Sequence, residues 1–365
     1  MRTLLGTLAA LTMAVVPLTA AAAAEPKPGS DEPSHHNLGW KRVDVDTDQG
    51  LRGLDAVSGK VAWVTGSEGG VWRTVDGGTS WKDVTPAAQT LMLRDVEATS
   101  KKEALVLAIG PGEESQILRT DDGGESWATT FVNDEPAAFY DCMAMFPNGR
   151  DGLALSDPVD GQLRLIRTRD GGRSWSRVGG AGLPKPVADE FYFAASGTCL
   201  VTSGDRDAWI VSGGGAARVL HSTDRGRTWK AADSTLAPGA AAGVFSIAVR
   251  DDDQAVLVGG DFEQETDGAD RSAYLSKKGK WVNGGDLAGY RSGVAWLPGT
   301  RGTAVAVGPS GSDVTRDGGR TWKAFSAADF DSVQCADPAP VEGTRLSCWA
   351  SGAEGAVGRL KVRMR

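Results

Sequence analysis

Five aspartates recur in one local setting. Asp76, Asp122, Asp170, Asp224 and Asp317 sit in "TVDGGTSW" (74–81), "TDDGGESW" (120–127), "TRDGGRSW" (168–175), "STDRGRTW" (222–229) and "TRDGGRTW" (315–322). A carboxylate on a glycine-rich turn is a candidate acid or base, and hydrolysis of a glycoside asks for two of them about 5–10 Å apart. The same residue types also build a hairpin corner. The aspartate accepts N–H bonds from the residues that follow, glycine permits positive φ, and the Ser or Thr bonds back. Trp81, Trp127, Trp175, Trp229 and Trp322 then fold onto the neighbouring sheet. Repetition decides between the two readings, because regular placement scatters the carboxylates around a rim instead of converging them.

The spacing of these turns defines the elements that carry them. The gap between the last two copies is double the others, and "YLSKKGKW" (274–281) fills it as a worn copy without the aspartate. A period of 40–50 residues with strand-like contents is that of propeller blades. Before each turn runs an apolar stretch, a glycine-rich turn and a second stretch, as in "AWVTGSEGGVWRT" (62–74) and "AWIVSGGGAARVLHST" (208–223). An earlier strand precedes these, as in "RGLDAVSG" and "RDVEATS". Each unit is therefore four strands, A to D, with the Asp turn between C and D. The last unit, "CWASGAEGAVGRLKVRMR", stops before its strand D, whereas "GWKRVDV" (39–45) resembles a strand D standing first. The expected fold is all-β, a seven-bladed propeller whose N-terminal strand completes the last blade and covers its edge. Six blades is the alternative if the worn or the composite blade is misread.

With 49 Gly and 12 Trp, composition favours short strands and turns over long helices. A net charge of −8 offers no general reason to expect a nucleic acid or an anionic membrane as partner. Residues 1–24 have the n-region, apolar core and small-residue cleavage site of a signal peptide, 25–37 read as a flexible leader, and 38–365 as one propeller domain. No later stretch is long and apolar enough for a membrane helix. The expected location is secreted or periplasmic. Four cysteines in an exported chain favour two disulfides. In the blade alignment Cys142 and Cys199 share a strand-A position in blades 3 and 4, and Cys335 and Cys348 lie on strands A and B of blade 7.

If the Asp turns mark one face, binding belongs on the other, around the channel mouth. With "AVSG" of blade 1 as a ruler, Arg52, Arg94 and Arg291 fall early in strand A of blades 1, 2 and 6, and Tyr140 and Asp331 take that place in blades 3 and 7. The B–C turns add Glu68, Glu113, Glu114, Asp157, Asp160, Asp261, Glu263 and Glu354. The arginines read either as forks for a carboxylate or phosphate, or as partners of these acids around a wet channel. Asp157 and Asp261, on the longest B–C excursions, are the candidate polar groups at the mouth.

The pattern S/T-x-D-x-G-x-T/S-W resembles the Asp-box (BNR) repeat of sialidase-like propellers. The chain is more specifically similar to single-domain propellers of the photosystem II assembly and stability factor type, whose bacterial members are often labelled glycosyl hydrolases or oxidoreductases. The resemblance covers residues 38–365 and implies architecture, since Asp boxes occur in enzymes and scaffolds alike. The expectation is a non-enzymatic, monomeric binding protein for a protein or glycan ligand, without cofactor or metal. The alternative is a sialidase-like glycoside hydrolase using Asp157 or Asp261 with the arginines. Against it, there is no "RIP" motif and no Tyr–Glu nucleophile pair. A redox role finds no G-x-G-x-x-G unit, and no G-x-S-x-G elbow is present. Asp44, Asp46 and Asp48 lack the spacing and helices of an EF-hand, and His35, His36 and His221 lack metal-ligand spacing.

Overall fold

A computed structural model describes residues 38–250, 254–336 and 347–362. The signal and leader segments, with His35 and His36, lie outside the described residues. Seven antiparallel sheets form the ring, so the seven-bladed reading stands and the six-bladed alternative falls. The inner strands are Leu51–Asp55, Leu93–Ala98, Tyr140–Met145, Leu200–Ser203, Gly239–Arg250, Gly293–Trp296 and Ser332–Cys335. Blade 5 is widened by two short strands, Glu190–Phe191 and Gly213–Gly214, beyond its four. The N-terminal strand Leu38–Arg42 pairs with Val357–Val362, from Leu38 opposite Val362 to Arg42 opposite Gly358. It is the outer strand of blade 7, as its likeness to a strand D predicts.

In an antiparallel meander the A–B and C–D connections share one face, and the B–C turns share the other with the entries to strand A. The Asp turns explain how blades dock. Asp76 accepts bonds from the Thr74 hydroxyl (2.9 Å), the Thr79 and Ser80 amides (3.0 Å each) and the Ser80 hydroxyl (2.6 Å). Asp122, Asp170, Asp224 and Asp317 repeat this pattern with their own hydroxyls. The second glycine of each turn is required by a close approach: a Cβ on Gly124 would lie 2.5 Å from Val84, and one on Gly226 2.7 Å from Leu153, both in the preceding blade. At the first glycine's place Arg225 adopts φ +63, so that position tolerates a side chain. Each turn's tryptophan wedges between blades, with Trp127 edge-on to Trp63 (6.3 Å) and Trp81 edge-on to Trp349 (5.9 Å). Trp175, Trp229 and Trp322 take the same interblade place, Trp229 almost wholly buried.

Neighbouring inner strands are stitched by side chains across the blade boundaries. Asp95 accepts the Met143 amide (2.7 Å) and Glu97 the Met145 amide (2.8 Å), both from blade 2 to blade 3. Asp55 accepts the Ala98 amide from blade 1 to blade 2. The disulfides are Cys142–Cys199, which ties blades 3 and 4, and Cys335–Cys348, which ties strands A and B of blade 7.

Candidate functional site

The entries to four of the seven inner strands are shaped by a β-bulge. The register breaks between Leu51 and Gly53, Leu93 and Asp95, Tyr140 and Cys142, and Val244 and Ser246. The residues inside the bulges are Arg52, Arg94, Asp141 and Phe245. A bulge puts one residue out of the pleat and re-aims its neighbours. Arg52 and Arg94 are thereby brought together: Arg52 pairs with Asp331 at 3.4 Å, and Arg94, largely buried, lies within reach of the charges of Arg52 and Asp331 and beside Tyr290. Burial, reinforced by the Arg52 charge, pulls Arg94 down to about 10. Burial pushes Asp331 up, against the pull of both arginines. The rim outside this group is acidic, with exposed Glu265, Asp329 and Glu354.

Two residues aligned with these arginines point elsewhere, and the reason is a one-residue offset. Gly293 pairs with Val307 as Gly53 pairs with Thr65, which makes Ser292 the counterpart of Arg52 and Arg291 the counterpart of Leu51. Arg291 is fully buried inside its blade, bonded to Asp313 (2.7 Å), the Tyr290 carbonyl (2.8 Å) and the Ser310 hydroxyl (2.8 Å). Tyr140 likewise matches Leu51 and is buried edge-on to Phe131 (5.1 Å). A slip of one residue exchanges the two faces of a strand. Neither side chain stands at the mouth, where Asp141 and Ser292 take the corresponding places. Aligning on the residue after the bulge (Gly53, Asp95, Cys142) would have found them.

The mouth is closed by a crossing segment that sequence reasoning missed. Residues 191–198 cross the channel on the way into the inner strand of blade 4, and the Ser196 hydroxyl donates to the Ser292 carbonyl of blade 6 (2.7 Å). Thr198 and Ser246 share a bond of 2.6 Å. Gly197, at φ +76, passes so close to Asp95 that a Cβ would sit 2.3 Å from its carboxylate. Beside this plug Phe193 stacks on Phe245 (4.1 Å), Tyr290 meets Phe245 edge-on (4.8 Å), and Phe262 is 44% exposed. An aromatic shelf therefore adjoins the arginines, with Tyr290 common to both. Below the plug a cavity of about 730 Å³ opens toward the Asp-turn face, lined by Glu97, Thr198, Thr202, Trp296 and Gln334 among others.

Asp157 anchors the plug by accepting the Tyr192 amide (2.9 Å), and burial raises its carboxyl to about 6. Asp141 lies near it, and burial plus the Asp157 charge raises it strongly. This carboxyl pair is inward-facing, with Asp141 only 2% exposed. Asp261 instead caps its own loop, accepting the Glu263 amide (2.9 Å) and the Gln264 side chain (3.0 Å). The Asp-turn carboxylates are saturated, and the hydroxyl bonds from Ser80 and Ser126 hold Asp76 and Asp122 at about 2. His221 bonds Asp207 (2.8 Å) and stacks on Trp209. Among the described residues no group of three His, Cys, Asp or Glu is placed to hold a metal, and no helix is long and apolar enough to cross a membrane.

No protein-family model and no curated protein sequence matches the chain. Among solved structures it is similar to YCF48 bound to a D1 peptide, with TM-score 0.60 and 16% identity, over 89% of this chain and 97% of that one. It is similar to a GH74 xyloglucanase from Xanthomonas campestris, with TM-score 0.58 and 18% identity, over 88% of this chain and 53% of that one. Virginiamycin B lyase from Staphylococcus aureus gives TM-score 0.63 at 11% identity, over 89% of this chain and 99% of that one. At such identities the likeness is one of fold, shared by peptide-bound and enzymatic propellers.

Proposed function

We propose that the chain is an exported, monomeric binding propeller that recognises a carboxylate-bearing protein segment at its mouth, with the five Asp turns serving as Asp-box corners. The observation that carries this reading is the Arg52–Arg94 pair, two guanidiniums beside a single carboxylate, Asp331, which ion-pairs with Arg52 at 3.4 Å. A ligand carboxylate supplies the second counter-charge, and guanidinium forks suit it. The acidic rim of Glu265, Asp329 and Glu354 repels polyanions and favours a ligand with mixed charge. Phe262, exposed at the edge of the aromatic shelf, offers apolar contact near the charge, the composition of a recognition site. A propeller of the same fold is seen with a peptide bound, and two disulfides suit an oxidising compartment.

Fluorescence anisotropy with a set of labelled peptides of mixed charge, each with free and amidated carboxyl groups, tests this reading. Binding should require the carboxyl and weaken about 10-fold or more in Arg52→Gln and Arg94→Gln, the loss of a charge-assisted bond. Equal binding of amidated peptides would refute it, and preference for a uronic-acid oligosaccharide would make the ligand a glycan. The enzymatic alternative draws on one observation, the raised Asp157 carboxyl beside Asp141, a pairing that acid–base chemistry uses. Turnover of aryl glycosides, sialosides included, that disappears in Asp157→Asn would replace the binding reading with hydrolysis.

A further inference from the structure

On the opposite face, between the Asp turns of blades 3 and 4, lies a second concentration of charge. A cleft of about 230 Å³ is lined by Arg167, Arg169, Arg225 and Arg227 with a single carboxylate, Asp151. Arg167 leaves strand C of blade 3, Arg169 precedes the turn aspartate Asp170, and Arg225 and Arg227 flank Gly226 in the next turn. The blade repeat itself makes this convergence, because each Asp turn packs on the preceding blade and delivers its exposed side chains beside the preceding turn.

The ion balance of the cleft does not close. Arg225 is committed: it pairs with Asp151 at 3.4 Å and donates to the Asp205 carbonyl at 2.7 Å. Asp151 also accepts the Asn148 side chain at 2.8 Å. Among the described residues, the guanidiniums of Arg167, Arg169 and Arg227 have neither a hydrogen bond nor an ion pair. The turn carboxylates Asp170 and Asp224 are occupied by their own hydroxyls and amides. Burial and the repulsion of Arg169 and Arg227 pull Arg167 down, with Asp151 opposing. Four arginines line the cleft against one aspartate, and three of the guanidiniums have no direct partner.

We propose that this cleft binds a dianionic tetrahedral oxyanion, a phosphate group, free or as a monoester at the end of a larger molecule. Three guanidiniums arriving from a strand end and two turns match three oxygens of a monoester, whereas a planar carboxylate takes one fork. The volume suits one such group and a few further atoms, being below the usual range for a whole cofactor. The site is separate from the mouth and stands or falls independently of it.

The test titrates the full chain with inorganic phosphate by calorimetry and thermal shift, and by sedimentation with phosphatidic-acid vesicles. One phosphate should bind per chain and raise Tm, and Arg167→Gln/Arg227→Gln should weaken binding 10-fold or more. That double variant should keep or raise Tm in phosphate-free buffer, since it removes repulsion. Should it fail to fold, Arg169→Gln, at an exposed position, carries the same expectation with a smaller loss. The control Arg173→Gln/Arg320→Gln removes two charges elsewhere on this face and should bind normally. Phosphate binding without vesicle binding assigns a soluble source, and vesicle binding lost in the cleft variant assigns a lipid headgroup. Absence of both, or equal loss in the control, overturns the proposal.

Discussion

At the scale of single residues, the largest energetic consequences belong to groups that sit one register position away from the mouth. Arg291 and Asp313 form a fully buried pair, 2.7 Å apart. Removing one member of such a pair strands a buried charge and costs about 3–5 kcal/mol, whereas replacing both with apolar residues is often neutral. Asp313→Ala should therefore lower stability by about 3–5 kcal/mol, and Arg291→Met/Asp313→Leu should recover most of it, as read by urea unfolding. A second expectation concerns Gly197. At φ +76 and with Asp95 where its Cβ would stand, Gly197→Ala must displace the plug. Hydrogen exchange should rise across 191–198, and peptide affinity at the mouth should fall while the outer blades stay protected. The sequence made Arg52 and Arg94 legible, because both precede a small or acidic residue at the start of a repeated strand. It misplaced Arg291 and Tyr140 because a ruler anchored in the turn between strands A and B slips where that turn is longer, in blades 3 and 6: Cys142 pairs with Leu155 and Gly293 with Val307, 13 and 14 residues on, against 12 from Gly53 to Thr65.

At the scale of elements, the chain's closure hangs on its first described strand. Leu38–Arg42 was readable as a displaced strand D from "GWKRVDV" alone, since an orphan outer strand at one end and a missing one at the other have a single solution. Trp40 makes that solution stable: its ring meets Phe330 at 5.3 Å, and its indole N–H donates to the Ser312 hydroxyl of blade 6 at 3.0 Å. Trp40→Ala should cost about 3 kcal/mol and raise hydrogen exchange in blade 7 first. The Cys335–Cys348 bridge spans 13 residues in the same blade. Its removal by paired Ser substitution should cost about 3 kcal/mol in the loop-entropy account, and the loss should exceed additivity with Trp40→Ala because both hold one blade. The plug, by contrast, left no trace in the repeat, being an insertion between units whose role depends on a partner in blade 6.

At the scale of the whole molecule, two populations of carboxyl groups pull stability in opposite directions with pH. The Asp turns titrate low: hydroxyl bonds hold Asp76 and Asp122 at about 2, below the ordinary value of 3.8. Their contribution is present above about pH 4 and is lost as pH falls toward 2. The channel staples titrate high, since burial lifts Asp55 to about 7 and Asp95 to about 8. Between about pH 4 and 8 the folded chain holds protons that the unfolded chain has released, so these groups reduce stability as pH rises through that window. The two slopes together place the stability maximum near pH 4–5, on the acid side of the usual range. Asp55→Asn keeps an acceptor for the Ala98 amide and removes the charge that burial penalises. Its Tm should exceed that of the native chain at pH 8 and equal it at pH 4.5. A Tm gain of the same size at both pH values would mean that the asparagine stabilises by packing, and that the buried carboxyls do not set the pH profile.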